Sequence, residues 1–214
     1  MASLSLVIGN KAYSSWSLRP WLALRQAGAA FDEVVIPLRR PETKAAILAH
    51  SPAGKVPVLR HGPVTVWESL AICEYVADLF PGAGLWPERA DERALARAAA
   101  TEMHGGFLEI RKAFPMDLKR TPAPRPVPAA ATPEIERLTG LWRQLRARAG
   151  GEGPFLFGRF SVADAMYAPV CTRLETYGVP VDDVSRAYVE AVLALPAMVD
   201  WRRAAQAEPW EIVY

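Results

Sequence analysis

Cysteine is nearly absent: the 214 residues hold two, Cys73 and Cys171. They lie far apart, each inside an apolar helical pattern, and fit no metal-ligand or redox spacing. Disulfide staples are therefore excluded, no metal is expected, and free buried thiols suit a reducing cytoplasm. Long hydrophobic runs are absent too. No stretch of about 18 apolar residues occurs, so no segment is expected to span a membrane. The opening MASLSLVIGNK has neither a basic start nor a long apolar run, and no signal peptide is expected. Charge of one sign is also lacking, with 25 Lys and Arg against 23 Asp and Glu. A net charge of +2 offers no broad basic field for nucleic acid. What remains is 51% hydrophobic and 22% charged, enough to bury a core without staples.

Periodicity then orders the chain. Leu4 to Ile8 reads as a buried strand and Trp16 to Ala27 as a helix, with Pro20 tolerated in its first turn and Gly28 as its stop. Phe31 to Leu38 is a strand, Glu42 to Ala49 a short helix, Val56 to Arg60 and Val64 to Trp67 a hairpin, and Ser69 to Phe80 an amphipathic helix. The order is β-α-β-α-β-β-α over residues 1–80. Pro81 to Pro87 is rich in proline and glycine, and 81–88 is read as a linker. From 89 to 214 everything reads as helix. A long helix is expected from Asp91 to Phe114, an exposed proline-rich connection from Thr121 to Pro133, and four more helices after it. Ser161 and Asp164 have the spacing of a capping box. The aromatic set Trp201, Trp210 and Tyr214 is expected to pack rather than to form a site.

Three pieces of the first 80 residues carry chemistry. Tyr13-Ser14-Ser15-Trp16-Ser17 places hydroxyls where a helix begins, and a helix start favours an anion. One of those serines as a simple cap would look the same. Gly54-Lys55-Val56-Pro57-Val58 opens a strand with a proline. A cis bond there would turn the Val56 backbone outward, free to pair with a peptide-like ligand; an ordinary loop proline is the alternative. Glu68-Ser69 begins the last helix of this half. The carboxylate can hold an ammonium group, and the serine can hold a carboxylate on the same α-carbon; another helix cap is again the alternative.

In order and spacing, the Ser-Ser-x-Ser opening, the Val56-Pro57 turn, the Glu68-Ser69 pair and the Ser161-x-x-Asp164 cap resemble the glutathione transferases, over essentially the whole chain. The resemblance implies an α/β thioredoxin-like domain followed by an all-α helical bundle. It also implies glutathione as co-substrate, a small electrophile as partner and a homodimer. Ser14 matches the residue that hydrogen-bonds the glutathione sulfur, with Ser15 as its alternate. Lys55, Val56, Pro57, Glu68 and Ser69 match the glutathione-binding positions. The opening is most similar to the zeta class, which includes maleylacetoacetate isomerase. Trp16 stands where that class has cysteine. In an unbroken helix, His104, Phe107 and Arg111 share a face and would line the electrophile pocket. Arg111 could then bind an acidic substrate and His104 act as acid or base. Contacts between the domains or subunits are the other reading of these three. Activation of the glutathione thiol is the expected activity. A non-catalytic binding or regulatory protein on the same fold is the alternative.

Overall fold

The computed structural model describes residues 3–150 and 152–212. Strand β1 (Leu4–Gly9) leads into helix α1 (Ser15–Gln26), β2 (Phe31–Ile36), α2 (Thr43–Leu48), β3 (Val58–His61), β4 (Val64–Trp67) and α3 (Ser69–Leu79). The sheet runs β2-β1-β3-β4. β1 and β2 are parallel, with Leu4 opposite Phe31 and Gly9 opposite Ile36, because α1 carries the chain back across the sheet. β3 is antiparallel to both β1 and β4.

Alternation along β1 builds both layers. Leu4, Leu6 and Ile8 join the buried cluster that includes Leu18 and Leu22 of α1 and Ile72 and Val76 of α3. Val7 points the other way, to Val58, Ile36 and Ile47 of α2. The sheet is thus sandwiched between α1 with α3 and α2.

The helical part comprises α4 (Ala90–Gly105), α5 (Leu108–Ala113), α6 (Thr132–Arg148), α7 (Val162–Thr176), α8 (Asp183–Leu193) and α9 (Pro196–Ala207). This is a thioredoxin-like unit followed by a helical one. The core does not stop at the connection between them. Met103, Tyr167 and Trp201 belong to the same buried cluster as Leu22 and Ile72. α1 packs against α7 and α9, and α3 against α4. α7 is buried along nearly its whole length and begins with the expected capping box. There Asp164 accepts from the Ser161 N–H (2.8 Å), the Ser161 hydroxyl (2.9 Å) and the Leu156 N–H (3.1 Å). Burial pushes its carboxyl up to about 6 despite those bonds. No helix among the described residues is long and apolar enough to cross a membrane.

One expectation fails. The helix read from Asp91 to Phe114 breaks at Gly106, which is extended (φ −112°, ψ −165°), and at Phe107, which is left-handed (φ 59°). Gly105-Gly106 ends a helix rather than sitting inside one. β3 starts two residues later than expected, after Pro57, which has no N–H for the ladder. The segment 121–133 is mostly exposed and is irregular over 121–128, but Ala129–Ala131 form a 3-10 turn and α6 already begins at Thr132; Ala123 and Arg125 donate backbone bonds to Thr176 and Tyr177. Trp201 is fully buried and Trp210 half-buried; Tyr214 lies outside the described residues.

Candidate active site

The loop between β1 and α1 is held by the far end of the chain. The Glu208 carboxylate accepts from the N–H groups of Lys11 (2.7 Å) and Ala12 (3.1 Å). Trp201 Nε1 donates to the Lys11 carbonyl (3.0 Å), and the Leu118 N–H to that of Ala12 (3.1 Å). Asn10 closes the loop from within, its carbonyl accepting from Ser14 at 2.8 Å. The serines at the start of α1 therefore stand on a fixed backbone.

Ser14 occupies the cap position, but its side chain does not cap the helix. Its Oγ lies 2.7 Å from Ser17 Oγ, which accepts from the Gly9 N–H at 3.0 Å. Ser15 is equally buried, with 6% of its surface exposed, and its hydroxyl makes no hydrogen bond among the described residues. The capping alternative thus does not describe Ser14.

Beside this loop lies a cleft of about 220 Å³. Its lining contains Lys55, Val56, Pro57, Glu68 and Ser69, together with Trp16, Ala53 and Trp67. The five residues singled out in the sequence therefore meet in one place. The Val56–Pro57 peptide bond is cis. Val56 lies outside β3 and takes part in no backbone hydrogen bond among the described residues. Lys55 is exposed and forms no salt bridge there. Glu68 has a left-handed backbone (φ 68°), a conformation that a non-glycine residue rarely holds without a reason. Next to it, the Ser69 hydroxyl is buried and has no hydrogen-bond partner among the described residues. Leaving such a group unpaired costs about 1–3 kcal/mol, so strain and an orphaned hydroxyl adjoin at the head of α3. Four larger hollows lie among the described residues, and two of them are the largest. One, of about 480 Å³, lies below the sheet by Leu4, Phe31 and Phe80; the other, of about 660 Å³, lies between α7 and α8. Neither contains these features, so chemistry rather than volume selects the small cleft.

The helical half supplies a wall. The half-buried Trp16 ring carries the Arg19 guanidinium at 4.2 Å and that of Arg111 at 4.8 Å, and His104 meets it edge-on at 5.2 Å. Two of the three residues expected on one helical face, His104 and Arg111, thus converge, but across the α4–α5 break rather than along a helix. Phe107 does not join them. It is buried with its ring 6.5 Å from that of Tyr167. Arg111 is not free either. It donates to the carbonyls of Met103 (2.5 Å) and Gly106 (3.1 Å), capping the C-terminal end of α4. His104 Nε2 lies 3.6 Å from a Glu68 carboxylate oxygen. Burial, then Arg19, lowers the imidazole pKa against the opposing pull of Glu68. The ring is therefore neutral near pH 7, and this contact is not an ion pair there.

Sequence reasoning missed Arg19. It is fully buried, and none of its three nitrogens has a hydrogen-bond partner among the described residues. Burial, with Arg111 and Arg173 nearby, lowers its pKa strongly. The available signal was a cation three residues after Trp16, on a helix otherwise buried at Leu18, Trp21 and Leu22. The two cysteines take no part: burial pushes Cys73 up to about 12 and Cys171 well above its usual value.

Residues 13–79 match the glutathione S-transferase N-terminal domain, and residues 128–205 match the C-terminal domain of the same family. The chain belongs to the glutathione S-transferase family. Among curated relatives, a maleylacetoacetate isomerase of Rhizobium meliloti is 39% identical over 100 residues, 42% of this chain and 45% of that one. A probable glutathione S-transferase of Oryza sativa is 42% identical over 64 residues, 29% of this chain and 30% of its own. A dichloromethane dehalogenase of Methylorubrum extorquens is 52% identical over 46 residues, 21% of this chain and 16% of its own. Each likeness thus spans less than half of the relative. Among solved structures, a glutathione transferase homolog from Burkholderia with bound glutathione superposes with a TM-score of 0.74 at 23% identity, covering 96% of this chain and 100% of that one. A Tau class transferase from mango gives 0.74 at 18% identity, over 95% and 96%. At such identities the likeness speaks for the transferase fold.

Proposed function

We propose that this transferase binds glutathione in the 220 Å³ cleft and activates its thiol for attack on a small electrophile, by conjugation or thiol-assisted isomerisation. The observation that carries the reading is the set of unspent hydrogen-bonding groups along one cleft beside the serine loop: the Val56 backbone and the Ser69 hydroxyl. Val56 pairs with the cysteinyl backbone of the tripeptide as an added strand would. Ser69 and the head of α3 hold the γ-glutamyl carboxylate, and Glu68 holds its ammonium. Lys55 reaches the glycine carboxylate. Ser14 donates to the sulfur, with Ser15 the neighbouring hydroxyl.

A free thiol has a pKa of about 8.5. Lowering it to about 6.5 takes about 2.7 kcal/mol of preference for the anion. A hydroxyl donor and the start of α1 contribute to this, and so does Arg19, a buried cation behind Trp16. The thiolate fraction rises roughly 25-fold at pH 7, but with a Brønsted slope of about 0.4–0.5 nucleophilicity falls about eightfold. The net gain is only a few-fold, so most of the acceleration comes from holding the electrophile. The wall of Trp16, His104 and Arg111 faces that task. Trp16 stands in the place of the zeta-class cysteine, so zeta-type isomerisation would proceed here without that thiol.

Turnover of an activated aryl halide with glutathione tests the reading. Ser14→Ala lowers kcat a few-fold in an intact fold, and Ser69→Ala raises KM for glutathione about 10-fold, the worth of one charge-assisted hydrogen bond. Full activity in both Ser14→Ala and Ser15→Ala would refute serine activation. A protein that fails to bind millimolar glutathione would be a partner-binding module on this fold.

A further inference from the structure

Ser17 is fully buried on the first turn of α1, three residues after Ser14. Its oxygen accepts from the Gly9 N–H at 3.0 Å, a bond whose direction is fixed because only the nitrogen carries a proton. The 2.7 Å contact between Ser17 Oγ and Ser14 Oγ can run either way by distance alone. Proton accounting decides it. If Ser14 donated, Ser17 Oγ would accept twice, and its own proton would be left in a fully buried place with no acceptor, a costly arrangement. If Ser17 donates, both functions of its fully buried hydroxyl are satisfied, and the proton left over is on Ser14, which is 6% exposed. Ser14 Oγ then accepts, and its own proton has no acceptor among the described residues.

We infer that Ser17 is a positioning residue that donates its proton to Ser14 and so turns the Ser14 hydroxyl outward as a ready donor to the sulfur of the bound thiol. This rests on the reading of Ser14 given above. The chain runs from the Gly9 N–H through the Ser17 hydroxyl to the Ser14 hydroxyl. Each link polarises the next, by about 10–30% per bond. No proton moves along it: the thiol proton leaves to solvent, and the relay only holds the anion. Without it, the Ser14 hydroxyl would rotate freely and spend part of its time pointing its oxygen at an anion. The other titratable or charged groups near the start of α1 are Arg19 on the same helix, His104 and Arg111 from the helical half, and Glu68 before α3. All act through space and stay in place when Ser17 is altered. In the sequence the same residue reads only as one more hydroxyl in the cluster; its role needs the end of β1 beside it.

The test is a double-mutant cycle read as the pKa of glutathione's thiol bound to the intact protein, with Ser17→Ala, Ser14→Ala and both together. Ser17→Ala is expected to lower the acid dissociation constant of the bound thiol about 3- to 10-fold, the worth of one hydrogen bond, and to lower kcat while KM for glutathione stays near its original value. In the Ser14→Ala background the second change shifts nothing further. If Ser17→Ala does not fold, Ser17→Cys, close in size and a weak donor, shifts the pKa in the same direction by less. A Ser17 effect of equal size with and without Ser14 would overturn the relay, as would an unshifted Ser17 variant beside a shifted Ser14→Ala. An unshifted Ser14→Ala would overturn the Ser14 reading itself.

Discussion

Arg19 shows how a single side chain sets stability against function here. A buried guanidinium with no acceptor among the described residues loses its hydration and regains the face of Trp16 and weak contacts. Methionine matches its stem and needs no partner. Arg19→Met is therefore expected to unfold at equal or higher temperature, by about 1–3 kcal/mol in stability, while the bound thiol titrates higher and kcat falls. A variant both less stable and fully active would show that Arg19 is structural. The cleft residues were legible at this scale because their signals are local. A proline opening a strand and a Glu-Ser pair opening a helix need only a few residues to be recognised. Arg19, Ser17 and Glu208 were not legible, because what defines each is a neighbour far along the chain or a burial that spacing alone does not reveal.

Elements came through with their order intact and their ends displaced by a residue or two, apart from the α4–α5 break. There, periodicity continued through Gly105-Gly106 while the backbone did not, since helical spacing of His104, Phe107 and Arg111 survives a break that happens to fall between them. Gly106 is required for a steric reason: a Cβ there would lie 2.9 Å from the Glu102 carbonyl oxygen. Its own carbonyl also holds Arg111. Gly106→Ala should cost about 1–3 kcal/mol, as overpacking does, and should loosen the wall against Trp16. Denaturant titration measures the first effect and KM for the electrophile the second. A neutral substitution at both would mean that the break is not needed to seat Arg111.

At the scale of the molecule, the two halves share one buried cluster, and the serine loop hangs from Glu208 and Trp201. The fold class was legible because an alternating α/β half followed by an all-helical half is written in periodicity, but this interdependence was not. Calorimetry should show one unfolding transition, not two. His104, at the junction with Glu68, gives that transition a pH dependence. Its pKa is lowered in the folded protein, so the unfolded chain binds the proton more tightly. The associated stability is present above the unfolded value of about 6.5 and is lost as pH falls through the folded pKa. His104→Gln should flatten the midpoint across that window; an unchanged slope would place the titration elsewhere.

On the proposed function, the cleft holds glutathione as a thiolate on Ser14. The most direct measurement is the ultraviolet absorbance of the thiolate, followed against pH for glutathione bound to the protein. A thiol held by Ser14 should titrate at about 6–7, against about 8.5 for a free thiol, and should return toward the free value in Ser14→Ala. Glutathione that binds with an unshifted pKa, or does not bind, would contradict it.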